Sequence, residues 1–298
     1  MTKASNHALP ASNVIRSLHK QIILDFTSKP KTSMSELPPF RTDPGFRYLQ
    51  SPTPDWQFGD GLRTNTPLGK QWKADEEEEF QVFDPAKEEP RDLYKLMTSG
   101  ITPRPVAFVS TIAKDGTPNL APFSYFSMCN HNPPMISVSV NNRGKSPKDT
   151  ARAILDTKEF TVNIISESFV EAANFTSVEA PFEVDEWIGS GLTREPSTIV
   201  KPPRVRESGF SLECELYQSV PLAPPATPDE PTSYLIIGLI KLIHVRNAVL
   251  DHTKRVVDPS KLRPVARMGD ITYSTLGDSF RIPRPQWESV KGDYNVQS

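Results

Sequence analysis

The chain is 298 residues long, enough for one sizeable domain with extensions or for two small ones. Hydrophobic content is 37 %, and 30 prolines outnumber 14 glycines, so part of the chain is expected outside any core, because proline joins helices and sheets only at their margins. A formal net charge of −2 removes the electrostatic case for nucleic acid or an anionic membrane, and two cysteines, Cys129 and Cys214, cannot build a disulfide framework.

Residues 1–85 read as an extended, largely irregular arm. Pro30, Pro38, Pro44, Pro54 and Pro67 punctuate it, and no apolar period survives between them. Tyr48, Trp56, Phe58 and Trp72 stand in this polar stretch, which marks an arm that straps onto its own domain or onto a partner subunit. Near its start Ile15, Leu18, Ile22 and Phe26 could line one face of a basic helix. A mitochondrial presequence is therefore the alternative to the expected cytoplasmic location. No secretory h-region is present, and no apolar run nears the roughly 20 residues that span a bilayer.

From Arg91 onward the pattern becomes β-rich. Residues 106–113 predict a strand, Lys114-Asp115-Gly116 a hairpin turn, and residues 117–126 the returning strand. A third strand over 135–140 alternates Ile136, Val138 and Val140 with Ser137 and Ser139. Ser146-Pro147-Lys148-Asp149 then predicts a helix start, with Ser146 as N-cap and Pro147 at the first position. That helix should end near Thr157, ahead of a strand over 160–165 and a second helix over 168–174. Phe210, Leu212, Cys214 and Leu216 alternate with polar residues as a half-buried strand, and a proline-rich loop over 221–231 leads to a long strand over 234–245. Many strands with few helices predict a mainly β, antiparallel barrel rather than a doubly wound sheet.

Common nucleotide motifs fail here. Gly144-Lys145-Ser146 imitates the end of a P-loop, but the earlier glycine it needs falls at Ser139 in a strand. No Rossmann fingerprint exists, and the five histidines show no metal-ligand spacing with either cysteine. The helix start after the third strand remains. Its free N–H groups and dipole suit a phosphate monoester, with Lys145 and Lys148 flanking it and Ser146 and Thr150 adding hydroxyls. An ordinary capped surface helix with two solvated lysines reads equally from this spacing.

Five segments in order shift that balance. They are Thr102-Pro103-Arg104-Pro105-Val106-Ala107, Val109-Ser110-Thr111, Asn119-Leu120-Ala121-Pro122-Phe123-Ser124-Tyr125-Phe126, Lys148-Asp149-Thr150 and Glu159-Phe160-Thr161-Val162-Asn163. The series resembles the flavin reductase-like family of FMN-binding split-barrel proteins. The likeness continues more loosely to Arg267-Met268-Gly269-Asp270 and Tyr273, where the family tends to show Arg-x-Gly-Gly; Asp270 departs from the second glycine. The resemblance implies a split β-barrel over residues 86–290, a C-terminal tail over 291–298, and a homodimer with FMN near the subunit interface.

It also implies roles for particular residues. Ala121, Pro122, Phe123 and Ser124 would admit the flat flavin ring to the backbone, although Phe123 and Phe126 read more readily as core than as stacking residues. Ser110 and Thr111 would meet the ribityl chain or phosphate. Lys145, Ser146, Lys148 and Thr150 would hold the phosphate, with Arg104 a further ligand or else a surface residue between two prolines. His131 would contact the nicotinamide dinucleotide, or else be a loop histidine beside Pro133 and Pro134. The flavin would carry the chemistry, so no catalytic side chain and no metal is expected. The implied reaction is hydride transfer from NADH or NADPH to flavin, on small-molecule substrates. A flavin-binding electron carrier or sensor is the alternative, and a cofactor-free protein with an eroded site the third.

Overall fold

The computed structural model describes residues 37–43 and 45–294. The chain divides into two compact units, Met1–Asp43 and Pro44–Ser298. In the first, the described residues 37–43 are exposed and irregular, with an ion pair between Arg41 and Asp43. The apolar face predicted around Ile15 and Phe26 lies outside the described residues.

Within the second unit, residues 45–85 are more ordered than their prolines suggest. Thr66 accepts the Gly69 N–H at 3.0 Å and caps a nine-residue helix, α1 (Pro67–Asp75), whose first residue is a proline at a position where its missing N–H costs nothing. Upstream, Tyr48–Leu49 pairs in parallel with Ser279–Phe280, and Arg47 bridges Asp278 at 3.0 Å. Phe58 meets Tyr294 edge-on at 4.8 Å. Of the aromatics read as strapping residues, Tyr48 and Phe58 thus fasten the arm to the chain's own C-terminal segment, whereas Trp56 donates to the Gly61 carbonyl within the arm and Trp72 is exposed. A second helix, α2 (Pro90–Gly100), leads into the barrel.

Seven antiparallel strands form the main sheet: β1 (Ala107–Ile112), β2 (Pro118–Phe123), β3 (Phe126–His131), β4 (Pro134–Asn141), β5 (Glu159–Ile164), β6 (Phe210–Leu222) and β7 (Ser233–Val245). Their spatial order is β2-β1-β5-β6-β7-β4-β3. The two ends of this order, β2 and β3, are separated in the chain only by Ser124 and Tyr125. Such a link reaches about 10 Å, so the sheet has to curl until its ends adjoin. The Ser139 N–H donates to the Tyr125 carbonyl at 2.8 Å, which carries the β3–β4 ladder back into this link. The fold is a split barrel.

The returning strand expected over 117–126 is therefore two strands that bend at Ser124, and His131 ends a strand rather than sitting in a loop. Strand β2 accommodates two prolines before the bend. The Leu120 N–H points away from β1, toward Glu186, so residues two away share that outer edge and Pro118 and Pro122 forfeit no ladder bond. In the turn before β2, Gly116 adopts φ 93°, as the hairpin reading requires.

Opposite faces of the sheet carry two apolar clusters. Ala107, Val109, Val138, Phe160, Leu212, Cys214 and Ile236 pack with Ala151 and Ile154 of helix α3 (Asp149–Thr157). Phe108, Leu120 and Ile165 pack on the other side with Ala173 of α4 (Val170–Phe175) and Trp187 of α5 (Glu186–Ser190). Strand β6 is buried on both faces at its start, since Ser211 and Glu213 are as enclosed as Leu212 and Cys214. The half-buried alternation expected there fails because a loop over residues 196–203 covers the polar face. On β7, Gly238 is needed for space: a Cβ there would lie 2.5 Å from Cζ of Phe160, which is fully buried. Gly238→Ala is expected to cost about 1–3 kcal/mol of stability through overpacking; a urea-unfolding midpoint equal to the wild type's would refute the fit described.

Candidate functional site

Helix α3 begins two residues later than Ser146-Pro147 predicts. Its N-cap is Lys148 and its first residue Asp149. Arg143 and Ser146 close a tight turn on each other, Arg143 N–H to Ser146 carbonyl at 2.9 Å and the reverse at 3.2 Å, which uses the Ser146 backbone before a cap can form. A residue preceding proline is also steered out of the helical region. Lys145 lies on this turn with its ammonium 2.6 Å from Glu230. The predicted cluster therefore separates, with Lys145 and Ser146 on the turn and Lys148 and Thr150 on the helix.

Lys148 and Thr150 line a polar cleft of about 90 Å³ together with Asn119, Ala121, Pro122 and Phe123 of β2. Lys148 makes no ion pair among the described residues. Thr150 is almost fully buried, and its hydroxyl accepts the Asn119 side-chain amide at 2.8 Å. Since that oxygen accepts, its own proton remains to be donated. Asn119 also approaches the Thr111 hydroxyl at 3.4 Å, so it joins β1, β2 and α3 beneath the cleft. Sequence reasoning passed over Asn119 as a site residue, although it heads the Asn-Leu-Ala-Pro segment and alternates with Ala121 and Phe123 on one strand face. Ser110 and Thr111 are both fully buried and, as strand neighbours, point to opposite faces. The Ser110 hydroxyl has no partner among the described residues and faces the cluster around Phe108.

Three further charged residues, Arg143, Glu179 and Glu186, enter the cleft from segments no motif marked. Arg143 comes from the turn before α3 and gives one N–H to the Ala180 carbonyl at 3.2 Å. Glu186, at the start of α5, is 8 % exposed and accepts the Leu120 N–H at 3.4 Å. Burial pushes its carboxyl above the usual range, its own N–H and that of Leu120 pull it down, and Asp149 and Asp185 push it up again; the net shift is upward.

The next residues of the same chain segment face a second cleft, about 410 Å³ and mostly apolar, lined by Met97, Thr98, Ile101, Pro103, Arg104, Pro105, Ser124, Tyr125 and Phe126. Arg104 builds its wall. The guanidinium donates to the carbonyls of Thr98 at 2.5 Å, Ile101 at 2.6 Å and Met268 at 2.8 Å, and it approaches the Ser124 hydroxyl at 3.4 Å. Those bonds tie the end of α2 to the 267–270 turn. There Asp270 takes φ 54°, the left-handed conformation that glycine adopts freely and Asp tolerates. The departure from Arg-x-Gly-Gly is thus accommodated in the backbone. His131 is exposed at the end of β3 and lines neither cleft.

Comparison with known proteins agrees with this geometry. Residues 98–258 match the model of the flavin reductase like domain. A protein of Aquifex aeolicus is 43 % identical over 182 residues, covering 61 % of this chain and 88 % of its own. The solved structure of nitrilotriacetate monooxygenase component B from Bacillus cereus is 35 % identical, with TM-score 0.66, over 69 % of this chain and 100 % of that one. At 23 % identity and TM-score 0.59, a Shewanella frigidimarina structure with a split barrel domain shares the fold over 69 % of this chain and 100 % of its own.

Proposed function

The chain belongs to the flavin reductase-like family, and from that membership we propose that it is an FMN-dependent oxidoreductase that takes hydride from NADH or NADPH. The observation that carries the reading is the meeting of two unlike clefts at one strand bend. A polar cleft holding Lys148 lies on the Ala121–Phe123 side of the bend and an apolar one on the Ser124–Phe126 side. A ligand with an anionic end and a flat apolar end matches that division.

The residues present fit FMN. Lys148 supplies a positive charge, the first turn of α3 supplies free N–H groups, and Thr150 supplies a hydroxyl proton whose direction Asn119 sets. One such cradle suits a single phosphate. The small side chain of Ala121 and the outward-facing carbonyls of Leu120 and Pro122 leave backbone acceptors at the strand edge, next to the apolar wall held by Arg104. When bound, FMN supplies the hydride-accepting and electron-passing chemistry. The chain's own part is to bind, orient and shield.

Met97, Ile101 and Tyr125 are 55 %, 60 % and 39 % exposed around the apolar cleft. In this reading a second copy of the chain covers them, and the working form is a homodimer built from barrel units spanning 86–290, located in the cytoplasm and acting on small molecules. Among the described residues no helix is long and apolar enough to cross a membrane.

The test is the visible spectrum of the purified protein after addition of FMN, followed by anaerobic addition of NADH and NADPH separately. Bound flavin bleached by one nucleotide is expected, and it names the donor. Bound flavin that stays oxidised with both reassigns the protein as a carrier or sensor. No affinity for FMN refutes the cofactor itself.

A further inference from the structure

We propose that Glu186 makes phosphate binding in the polar cleft proton-coupled, so that the cleft accepts a flavin's phosphate as this carboxyl becomes neutral. The proposal rests on the reading of that cleft as the phosphate cradle. It starts from a charge imbalance. The cleft lining holds two cations, Arg143 and Lys148, against three carboxyls, Asp149, Glu179 and Glu186. A phosphate monoester adds about −1.5 to −2 more. With every carboxyl ionised, the occupied cleft would carry a large negative excess.

The three carboxyls are not alike. Glu179 is exposed to water. Asp149 is partly open and lies 3.8 Å from Arg152. Glu186 alone is enclosed, and it has no cation within ion-pair distance among the described residues. Behind it, Asp185 is engaged by Arg194 and caps the Trp187 N–H at 3.1 Å, so it presents a fixed negative charge toward Glu186. Asp149 adds another from α3. On the β2 side the group that meets the carboxyl among the described residues is the Leu120 N–H at 3.4 Å, too long for a strong bond. Seating a phosphate excludes water and brings a further anion to the same wall, which penalises the ionised form again.

The sign follows from linkage. A ligand that favours the protonated form of a group draws a proton as it binds, and its affinity falls once the pH rises past that group's value. The phosphate's own second ionisation, near about pH 6, acts in the opposite direction through Lys148 and Arg143, so the wild type alone is ambiguous. Glu186→Gln separates the two. It keeps an oxygen to accept the Leu120 N–H and removes the titration.

Dissociation constants for FMN and for riboflavin, which lacks the phosphate, should be measured on the full chain by fluorescence titration between about pH 5 and 8. At the alkaline end the E186Q variant is expected to bind FMN about fivefold more tightly than the wild type, and that advantage should shrink as the pH falls. Riboflavin affinity should be alike in both proteins at both ends. Calorimetry of the wild type near about pH 7, in buffers of different ionisation enthalpy, should show proton uptake with FMN once the release from the phosphate's residual monoanion, about a tenth of a proton at that pH, is added back, and none with riboflavin. That arm holds even where the variant fails to fold. A variant-to-wild-type ratio that does not change with pH, or no proton uptake with FMN, overturns the proposal. A wild type that binds riboflavin as tightly as FMN at every pH refutes instead the cradle reading on which the proposal stands.

Discussion

Replacing Glu213 by Gln is expected to lower the free energy of unfolding by about 3 kcal/mol, the range seen when one side of a buried charged network is removed. The Glu213 side chain is fully buried on β6. Its carboxylate accepts the N–H groups of Thr198, Ile199 and Val200 at 2.7, 2.6 and 3.1 Å, and Nε2 of His244 lies 2.6 Å away on β7. One acidic side chain thus satisfies three loop donors and pins residues 198–200 against the barrel. The amide of Gln offers one acceptor oxygen and turns an NH2 group toward donors, so at least one loop N–H loses its partner in a site water does not reach. Burial pushes the Glu213 carboxyl up, but the three N–H donors and His244 outweigh it and hold the carboxyl below the usual range. The stability this contributes is present above the ordinary carboxylate range and is lost as pH falls through the depressed value. Urea denaturation at neutral and acidic pH checks both parts. The variant should be markedly weaker at neutral pH and lose less than the wild type on acidification. Equal unfolding midpoints at neutral pH would show that the network contributes nothing net.

Lys148→Ala is expected to weaken FMN binding by about tenfold to a hundredfold, the worth of a charge-assisted hydrogen bond to phosphate. Riboflavin should bind the two proteins alike, because the lysine is assigned to the phosphate and not to the ring. The change should barely affect folding, since Lys148 has no ion pair among the described residues and its role as N-cap is carried by the backbone without a side-chain bond. The FMN difference between wild type and variant should also shrink as salt is added, as screening weakens a partly exposed charge pair. Fluorescence titration with both flavins decides it. An equal loss for riboflavin would move Lys148 away from the phosphate, and no loss for either would remove it from the site.

Much of the barrel was legible in the chain. The alternation of Ile136, Val138 and Val140 with serines, the turn at Asp115-Gly116 and the apolar content of residues 234–245 are local signals, and local signals report which residues are extended and which face is apolar. The division of the 117–126 stretch was not legible, because a strand that bends at the barrel seam keeps the same composition on either side of the bend. Nor was helix α1 within the arm, whose stability depends on a Thr66 cap and on packing that no apolar period announces.

The sequence by itself determined that this is a mainly β chain with a helix after the third strand and a flavin reductase-like series of segments, since those features depend on neighbours along the chain. Only the tertiary structure decided which of those residues share a site. It grouped Lys148 and Thr150 with Asn119, and turned Lys145 toward Glu230. It committed Arg104 to three carbonyls and brought in Glu186 from 66 residues beyond Leu120. Hydrogen bonds and burial are settled by whatever the fold sets within a few ångströms, and distance along the chain says nothing of that once a sheet has closed.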